Sequence, residues 1–268
     1  MTLSTHHKRI GTALVLIGII AAVLMQGGLF LQIAIACLAA VGIYEFYCMF
    51  WPGKEQLSLK ILGVISSCAV IGACSVENQQ WLALTLVFAF WAGNMHYLFS
   101  YSKSPEKSSY TTTLVYAAGL LYVPLVLQFF LQISPLACAM VIFASAVSDT
   151  AAYYTGSIFG KNKVWPQISP KKTIEGCTGG LVACIGFFTA MGMTFGEAPI
   201  WFWIAAAVCM NIASQFGDFF ESALKRKLQI KDSGNILPGH GGILDRIDSL
   251  LFALPVYAFG RMLYPLFG

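Results

Sequence analysis

The sequence predicts an all-α membrane protein, a polytopic bundle of about nine transmembrane helices with a cytoplasmic N-terminus. Composition is the first observation behind this prediction. Of the 268 residues, 57% are hydrophobic and 10% are charged, whereas a soluble domain has about a quarter charged residues. So few charges cannot cover a water-exposed globule. The other two observations are apolar runs of spanning length and an uneven distribution of basic residues between the loops.

A helix needs about 20 apolar residues to cross the hydrocarbon core of a bilayer. The first run follows a charged start, as in a signal peptide, but it lacks an A-x-A cleavage site and further spans follow, so we predict a retained helix. The first and third runs are the short ones. The apolar runs lie at 10–25, 28–50, 60–76, 81–99, 112–132, 135–159, 176–196, 199–219 and 249–267.

The basic residues define a direction across the membrane. With the N-terminus inside, 15 of the 16 Lys and Arg residues fall in inside segments, and Arg261 is the exception. The outside connections at 77–80 and 196–198 contain no Lys or Arg. This agreement with the positive-inside rule supports both the count and the orientation. An even number of spans would instead place the C-terminus inside. We expect an integral protein of the inner or cell membrane.

Two classes of site are excluded by residue patterns. The eight cysteines lie in apolar runs or at the edge of one, without the CxxC or Cys/His spacing of a zinc site. We expect reduced, buried thiols. A basic stripe interleaved with aromatic residues on a soluble module, which would indicate a nucleic-acid partner, is also missing.

Acidic residues divide the chain into two parts. Residues 1–148 contain four Asp or Glu residues and residues 149–248 contain eight. We therefore predict that 1–148 form an N-terminal transmembrane scaffold and 149–268 a C-terminal transmembrane catalytic part, within one integral membrane unit.

Asp218 is the first candidate site residue. It shares a helical face with Asn211, Gln215 and Ser222 near the inside end of the eighth run. A carboxylate that faces lipid costs about 2.5–3.5 kcal/mol even on the lenient insertion scale. We therefore expect this face to point into the bundle or a wet cavity. The alternative is a hydrogen-bonded seam that only packs helices.

Asp245 and Asp248 are the next candidates. They lie three residues apart at the start of the last run and therefore project from one helical face. Asp at a helix N-terminus also complements the helix dipole, so capping is the alternative role. Three carboxylates at one membrane face could hold one or two Mg²⁺ ions, which clamp a displacement at phosphorus.

Asp149 is an acid inside the membrane. It lies roughly 15 Å from the inside end of the sixth run. An intramembrane carboxylate indicates a functional site, and a structural partner such as a tyrosine is the alternative.

Basic and glycine-rich loops accompany these acids. Lys171 and Lys172 precede a helix and suit a polyphosphate or a lipid phosphate, although contact with anionic headgroups is the alternative. The glycines at 239, 241 and 242 would let backbone N–H groups approach an anion closely. His240, between them, is expected to bind phosphate or order the loop.

Two stretches resemble the phosphatidate cytidylyltransferase family, the first of them without a departure from its pattern. The first contains Lys225-Arg226, Lys231-Asp232-Ser233-Gly234, and Pro238-Gly239-His240-Gly241-Gly242 followed by Leu244-Asp245-Arg246-Ile247-Asp248. The second contains Ser148-Asp149-Thr150 and Ser169-Pro170-Lys171-Lys172-Thr173. The specific part of the resemblance covers about 149–248.

The resemblance implies a reaction and a site. The family joins CTP to phosphatidate, giving CDP-diacylglycerol and pyrophosphate, in a polytopic Mg²⁺-dependent enzyme; membrane lipids are expected partners, and a homodimer is implied. Asp218, Asp245 and Asp248 would then be metal ligands. Lys171, Lys172, Lys225 and Arg226 would bind phosphate, with Ser222 and His240 supporting.

Three other functions remain open at this point. A CTP-dependent lipid kinase would transfer the γ-phosphoryl group instead, and another lipid phosphate could replace phosphatidate. A cation or metabolite transporter could line its pathway with Asp149 and Asp218. Transporters often show inverted repeats and broken helices in both halves, whereas this chain concentrates its polar residues in one half and at one face.

Overall fold

The computed structural model describes residues 15, 17–76, 78, 80–236 and 241–264. Regular structure in this part of the chain is helical, apart from isolated bridge positions, which include an antiparallel bridge between Lys163 and Thr173 and a bridge position at Gly241. The all-α prediction is confirmed. The α-helices are α1 (Ile17–Gln26), α2 (Gly28–Phe50), α3 (Leu57–Cys74), α4 (Gln80–Lys103), α5 (Thr111–Tyr122), α6 (Pro124–Leu127), α7 (Pro135–Phe159), α8 (Ile174–Phe195), α9 (Ile200–Lys227) and α10 (Leu244–Leu263).

Seven helical segments in the described part are long and apolar enough to cross a bilayer. They are α2, α3, α4, α7, α8, α9 and the stretch Thr111–Leu131, which joins α5, α6 and a 3₁₀ turn at Gln128–Leu131. The chain is therefore an integral membrane protein. The nine-span count and the cytoplasmic N-terminus stay predictions.

The predicted runs at 10–25 and 249–267 are the two outside this count. Part of the first run lies outside the described residues, and its described helix α1 is short. The last run corresponds to α10, which begins earlier than the apolar run and carries Asp245 in its first turn, Arg261 in its last and Pro255 between them. The helix contains four charged residues, Asp245, Arg246, Asp248 and Arg261, which lower its apolar character.

Two helix boundaries differ from the predicted runs for identifiable reasons. The 112–132 run is interrupted after Tyr122, because Pro124 has no N–H to donate and disfavours helical geometry in the residue before it. The 199–219 run continues to Lys227, where Lys225, Arg226 and Lys227 occupy the last turn. Cations there complement the negative end of the helix dipole.

The described chain forms two compact units. Unit 1 contains the N-terminal helices up to Leu131 together with Asp232–Asp245, and unit 2 contains Gln132–Lys231 and the chain from Arg246 onward. The predicted boundary at 148 divided the chain by function, whereas these units are divided by compactness. The separation of an N-terminal scaffold from a C-terminal catalytic part therefore stays a prediction.

The core of unit 1 is built around Tyr47 of α2. Its hydroxyl donates to the Tyr116 carbonyl at 2.7 Å, and Tyr116 shares a 2.8 Å hydrogen bond with Ser66. Gly63 and Gly119 leave space for the Tyr47 ring, since a Cβ at either position would collide with it. These bonds satisfy polar groups in an apolar interior.

The helices of unit 2 approach closely where side chains are small. A Cβ on Gly176 would lie 2.8 Å from the Ala152 carbonyl oxygen, and one on Gly180 would lie 2.9 Å from that of Ser148. The GxxxG sequence at 176–180 therefore brings the backbones of α7 and α8 together, as such sequences do in membranes. At Gly217, α9 comes equally close to the backbone of α10.

Candidate functional site

A charged cluster in unit 2 centres on an ion pair between Lys172 and Asp218. Lys172 precedes α8, and its Nζ lies 2.5 Å from Asp218 Oδ2 on α9. The same ammonium lies 4.4 Å from the centre of the Phe219 ring. Ser222, one turn beyond Asp218, donates from its Oγ to Asp218 Oδ1 at 3.2 Å. The two charged side chains remain 28% and 31% exposed, so water-borne ligands can reach them.

A second ion pair lies one turn further along α9. Glu221 is fully buried, and its Oε2 accepts from Lys225 Nζ at 2.8 Å. Asp248 of α10 interacts electrostatically with Asp218, Glu221 and Lys225. Burial and the neighbouring carboxylate of Asp218 raise the pKa of Asp248 above its ordinary value. Asp218 and Asp248 therefore belong to one group of charges.

Asp149 of α7 borders the same cluster. Its side chain is exposed, and its charge interacts with Asp218, Lys172, Asp248 and Arg246. The structure therefore brings together Asp149, Asp218 and Asp248 from three helices. Carboxylates grouped this way repel one another, and a bound cation would relieve the repulsion.

The loop that presents the lysines is held in place by its own polar contacts. Thr173 caps α8 by accepting the Gly176 N–H at 3.1 Å. Glu175 accepts from the backbone N–H of Lys161 at 3.1 Å and from Asn162 Nδ2 at 2.8 Å. A cap and a carboxylate in the first turn are both favourable at a helix start. The result is a fixed platform for the two lysines, of which Lys171 is exposed.

The remaining basic candidates have different partners. Lys225 is occupied by Glu221. Arg226 is exposed, and its Nε donates to the Ile168 carbonyl at 3.3 Å, which ties the end of α9 to the lysine loop. Arg226 therefore has a structural contact in addition to any phosphate contact, which stays a prediction.

The polar face of α9 divides into two halves. Its membrane half is a packing seam, because Asn211 donates to Ser148 and Gln215 donates to the Cys177 carbonyl at 3.1 Å. Its other half carries Asp218 and Ser222 in the charged cluster. The packing interpretation therefore holds for Asn211 and Gln215, and the site role of Asp218 and Ser222 stays a prediction.

Asp245 and the glycine-rich loop form a separate arrangement in unit 1. The described residues of this loop are 232–236 and 241–243. The carboxylate of Asp245 accepts the Ser233 N–H at 3.0 Å and the Gly242 N–H at 2.8 Å. Gly241 has φ +83°, a conformation that favours glycine. The Gly242 N–H, which we expected to face an anion, is directed at Asp245. His240 and Gly239 lie outside the described residues.

Two acids important to these arrangements were not among the predicted site residues. Glu45 of α2 is 2% exposed, and its Oε2 accepts the Leu244 N–H at 2.8 Å. Glu221 is fully buried beside Lys225. A signal was present for both, since each is an acid in or next to an apolar run. Glu45 was assigned to the scaffold because it is isolated in sequence.

The chemistry of the donor set suits Mg²⁺, which prefers carboxylate oxygens and substrate phosphates with waters. Asp218 and Asp248 supply such oxygens, and their two carboxylates repel each other. Among the described residues, however, no three His, Cys, Asp or Glu side chains are already arranged to hold a metal ion. The three-carboxylate metal site, including the part of Asp245 in it, stays a prediction.

Comparisons with known proteins cover nearly the whole chain. Residues 7–263 match the cytidylyltransferase family. A phosphatidate cytidylyltransferase of Staphylococcus epidermidis is 32% identical over 250 residues, covering 91% of this chain and 95% of its own. Proteins of the same name from Staphylococcus saprophyticus and Staphylococcus aureus are 33% and 30% identical, with the same coverage of both chains.

Proposed function

Because the chain belongs to the cytidylyltransferase family, we propose that it transfers the cytidylyl group of CTP to phosphatidate. The products are CDP-diacylglycerol and pyrophosphate. The observation that carries this proposal is the cluster of Lys172, Asp218 and Asp248 in unit 2, which combines a cation of the kind that binds phosphate with carboxylates of the kind that bind Mg²⁺. Residues of both kinds are what a reaction between two polyanions requires.

The reaction is a displacement at phosphorus. A phosphate oxygen of phosphatidate forms a bond to the α-phosphorus of CTP, while the bond from that phosphorus to the oxygen bridging the β-phosphorus breaks. Pyrophosphate leaves with that bonding electron pair. The lipid phosphate is already anionic at neutral pH, so the enzyme needs no strong general base. What remains is to overcome charge repulsion and to align the reactants.

The cluster supplies these two requirements with named groups. Lys171 and Lys172 bind phosphate oxygens from the fixed loop before α8, and Ser222 orients the Asp218 carboxylate through its hydrogen bond. Asp218 and Asp248 would hold Mg²⁺, with Asp149 at the border of the same group. Bound Mg²⁺ neutralises phosphate charge and orients the phosphates. Lys225 and Arg226 add positive charge at the same end of α9.

The site is placed at the cytoplasmic face in this proposal. The basic residues of the loop before α8 and of the last turn of α9 support this orientation through the positive-inside rule. CTP arrives from the cytosol and phosphatidate from the leaflet, so a site at that face meets both. The homodimer implied by the family resemblance is part of the proposal.

Labelled nucleotide tests the reaction directly. Purified protein in detergent is incubated with phosphatidate, MgCl₂ and CTP labelled at either the α- or the γ-phosphate. We expect lipid-bound label only from the α position and labelled pyrophosphate from the γ position. Lipid label from the γ position alone would establish a lipid kinase instead. Substitution of diacylglycerol or an ether-lipid phosphate for phosphatidate defines the acceptor.

A further inference from the structure

The carboxylate of Glu45 connects α2 to the glycine-rich loop within unit 1. Its Oε2 lies 2.8 Å from the Leu244 backbone nitrogen, across 199 residues of sequence. Leu244 is the first residue of α10, and its N–H has no carbonyl partner within that helix. Glu45 therefore caps α10 from another helix. A negative charge at this position also complements the helix dipole.

The loop packs directly onto this carboxylate, and its glycines make that possible. A Cβ on Gly234 would lie 2.7 Å from Glu45 Cδ, and one on Gly242 would lie 2.7 Å from Glu45 Oε2. A Cβ on Gly242 would also collide with the Ser233 hydroxyl. The two ends of the described loop therefore meet on Glu45, and any larger residue at 234 or 242 would displace them.

Asp245 completes this arrangement from within the loop. It binds the N–H groups of Ser233 and Gly242, while Glu45 binds that of Leu244. Two carboxylates thus hold three backbone N–H groups and interact electrostatically with each other. Removing Glu45 would leave the Leu244 N–H buried without an acceptor and leave Asp245 alone in holding the loop.

We infer that Glu45 is a positioning residue for the glycine-rich loop, and through that loop for the use of CTP. This rests on the proposed function, because the loop belongs to the sequence signature shared with cytidylyltransferases. Glu45 touches no reacting atom in this assignment. It holds the two described ends of the loop, at Gly234 and at Gly242–Leu244, in place next to Asp245.

Three variants test this inference, with one matched control. Glu45→Gln keeps the shape and one acceptor oxygen but removes the charge, and Glu45→Asp keeps the charge but shortens the reach. Glu45→Ala removes both. The control is Tyr47→Phe, two residues away on α2, which also deletes one buried hydrogen bond, from the Tyr47 hydroxyl to the Tyr116 carbonyl.

Two measurements separate positioning from general stability. Hydrogen exchange of peptides covering 232–245 should become faster in Glu45→Gln and Glu45→Ala, but not in Tyr47→Phe at matched thermal stability. In kinetics, we expect kcat/KM for CTP to fall roughly ten- to a hundredfold in Glu45→Gln, as for a buried hydrogen bond to a charged group. Glu45→Asp should recover part of this loss.

The outcomes distinguish this inference from the proposed function. Wild-type exchange and wild-type kinetics in Glu45→Gln would overturn it, as would losses in Tyr47→Phe equal to those in Glu45→Gln. If Glu45→Ala does not fold, hydrogen exchange and kinetics of Glu45→Gln and Glu45→Asp still test whether Glu45 positions the loop. If the wild-type protein makes no CDP-diacylglycerol, the proposed function fails, while the exchange comparison still decides whether Glu45 positions the loop.

Discussion

Lys172 and Asp218 are each other's nearest charged partners, with 2.5 Å between Nζ and Oδ2. The proposed function gives these two residues different tasks, since one binds phosphate and the other binds Mg²⁺. Lys172 and a Mg²⁺ ion would therefore compete for the Asp218 carboxylate. A pair that is about 30% exposed contributes little to folding stability, because water screens it. Breaking this pair to bind other ligands therefore costs little free energy.

Replacing Lys172 should make CTP a poorer substrate but should strengthen the apparent binding of Mg²⁺. In Lys172→Ala we expect kcat/KM for CTP to fall roughly ten- to a hundredfold, because a charge-assisted phosphate contact is lost. The Mg²⁺ concentration for half-maximal activity should fall, because Asp218 no longer has a competing cation. Initial rates across a Mg²⁺ titration measure both effects. A Mg²⁺ requirement that rises would contradict the competition.

Removing the charge of Asp218 should abolish most activity without unfolding the protein. We expect Asp218→Asn to lower kcat at least ~100-fold, the size of effect for losing one electrostatic contact to the transition state. Thermal stability in detergent should stay close to wild type. Glu106→Gln, an exposed carboxylate in a 3₁₀ turn, is the matched control. Near-normal turnover in Asp218→Asn would remove Asp218 from the site.

Asp245→Asn should also lose activity by orders of magnitude while remaining folded and inserted in the membrane. The amide oxygen can take the place of Oδ2, which accepts both N–H groups that Asp245 binds, but it supplies no negative charge. Turnover with CTP and phosphatidate measures the loss, and exposed Glu55→Gln is the control. If activity stays near wild type, Asp245 is no metal ligand and its role is confined to the loop.

The raised pKa of Asp248 predicts a gain in stability from its neutral amide. An unfolded Asp ionises near its ordinary value of 3.8, whereas burial and Asp218 raise the folded pKa. The folded state therefore loses stability as pH rises through this interval, and the penalty is complete above the folded pKa. Asp248→Asn should unfold at a higher temperature than wild type at neutral pH with EDTA present.

The pH dependence checks the cause of that gain. The difference in unfolding temperature should vanish as pH falls below 3.8, where Asp248 is protonated in both states. Glu197→Gln, an exposed carboxylate between α8 and α9, should show no such difference at either pH. A gain that persists in acid would indicate packing rather than charge. Activity with MgCl₂ should be lost in Asp248→Asn, since the amide is a poorer Mg²⁺ ligand.

The close approach of α7 and α8 predicts opposite effects at two glycines of one helix. Gly180→Ala should destabilise the protein by about 1–3 kcal/mol, because its Cβ would lie 2.9 Å from the Ser148 carbonyl oxygen. Gly186→Ala should be neutral or stabilising, since a Cβ there meets nothing within 4 Å. Thermal unfolding in detergent compares the two. Equal effects would contradict the assigned α7–α8 contact.

The amino-acid sequence by itself determined the helical membrane class and most spans. Apolar length is a property of each segment alone, so the 135–159 run and α7 coincide. Lys172, Asp218 and Asp248 could also be chosen as candidates from the sequence, because their residue types and positions indicate phosphate and metal chemistry. The break after Tyr122 could have been predicted from Pro124.

Only the tertiary structure decided which charges meet. It paired Lys172 with Asp218 and buried Glu221 against Lys225, and it placed Asn211 and Gln215 in packing contacts with other helices. It also placed the Glu45 carboxylate on the Leu244 N–H, 199 residues away. Contacts of this kind depend on how separate helices pack, and packing is driven by shape and burial that a local pattern does not encode.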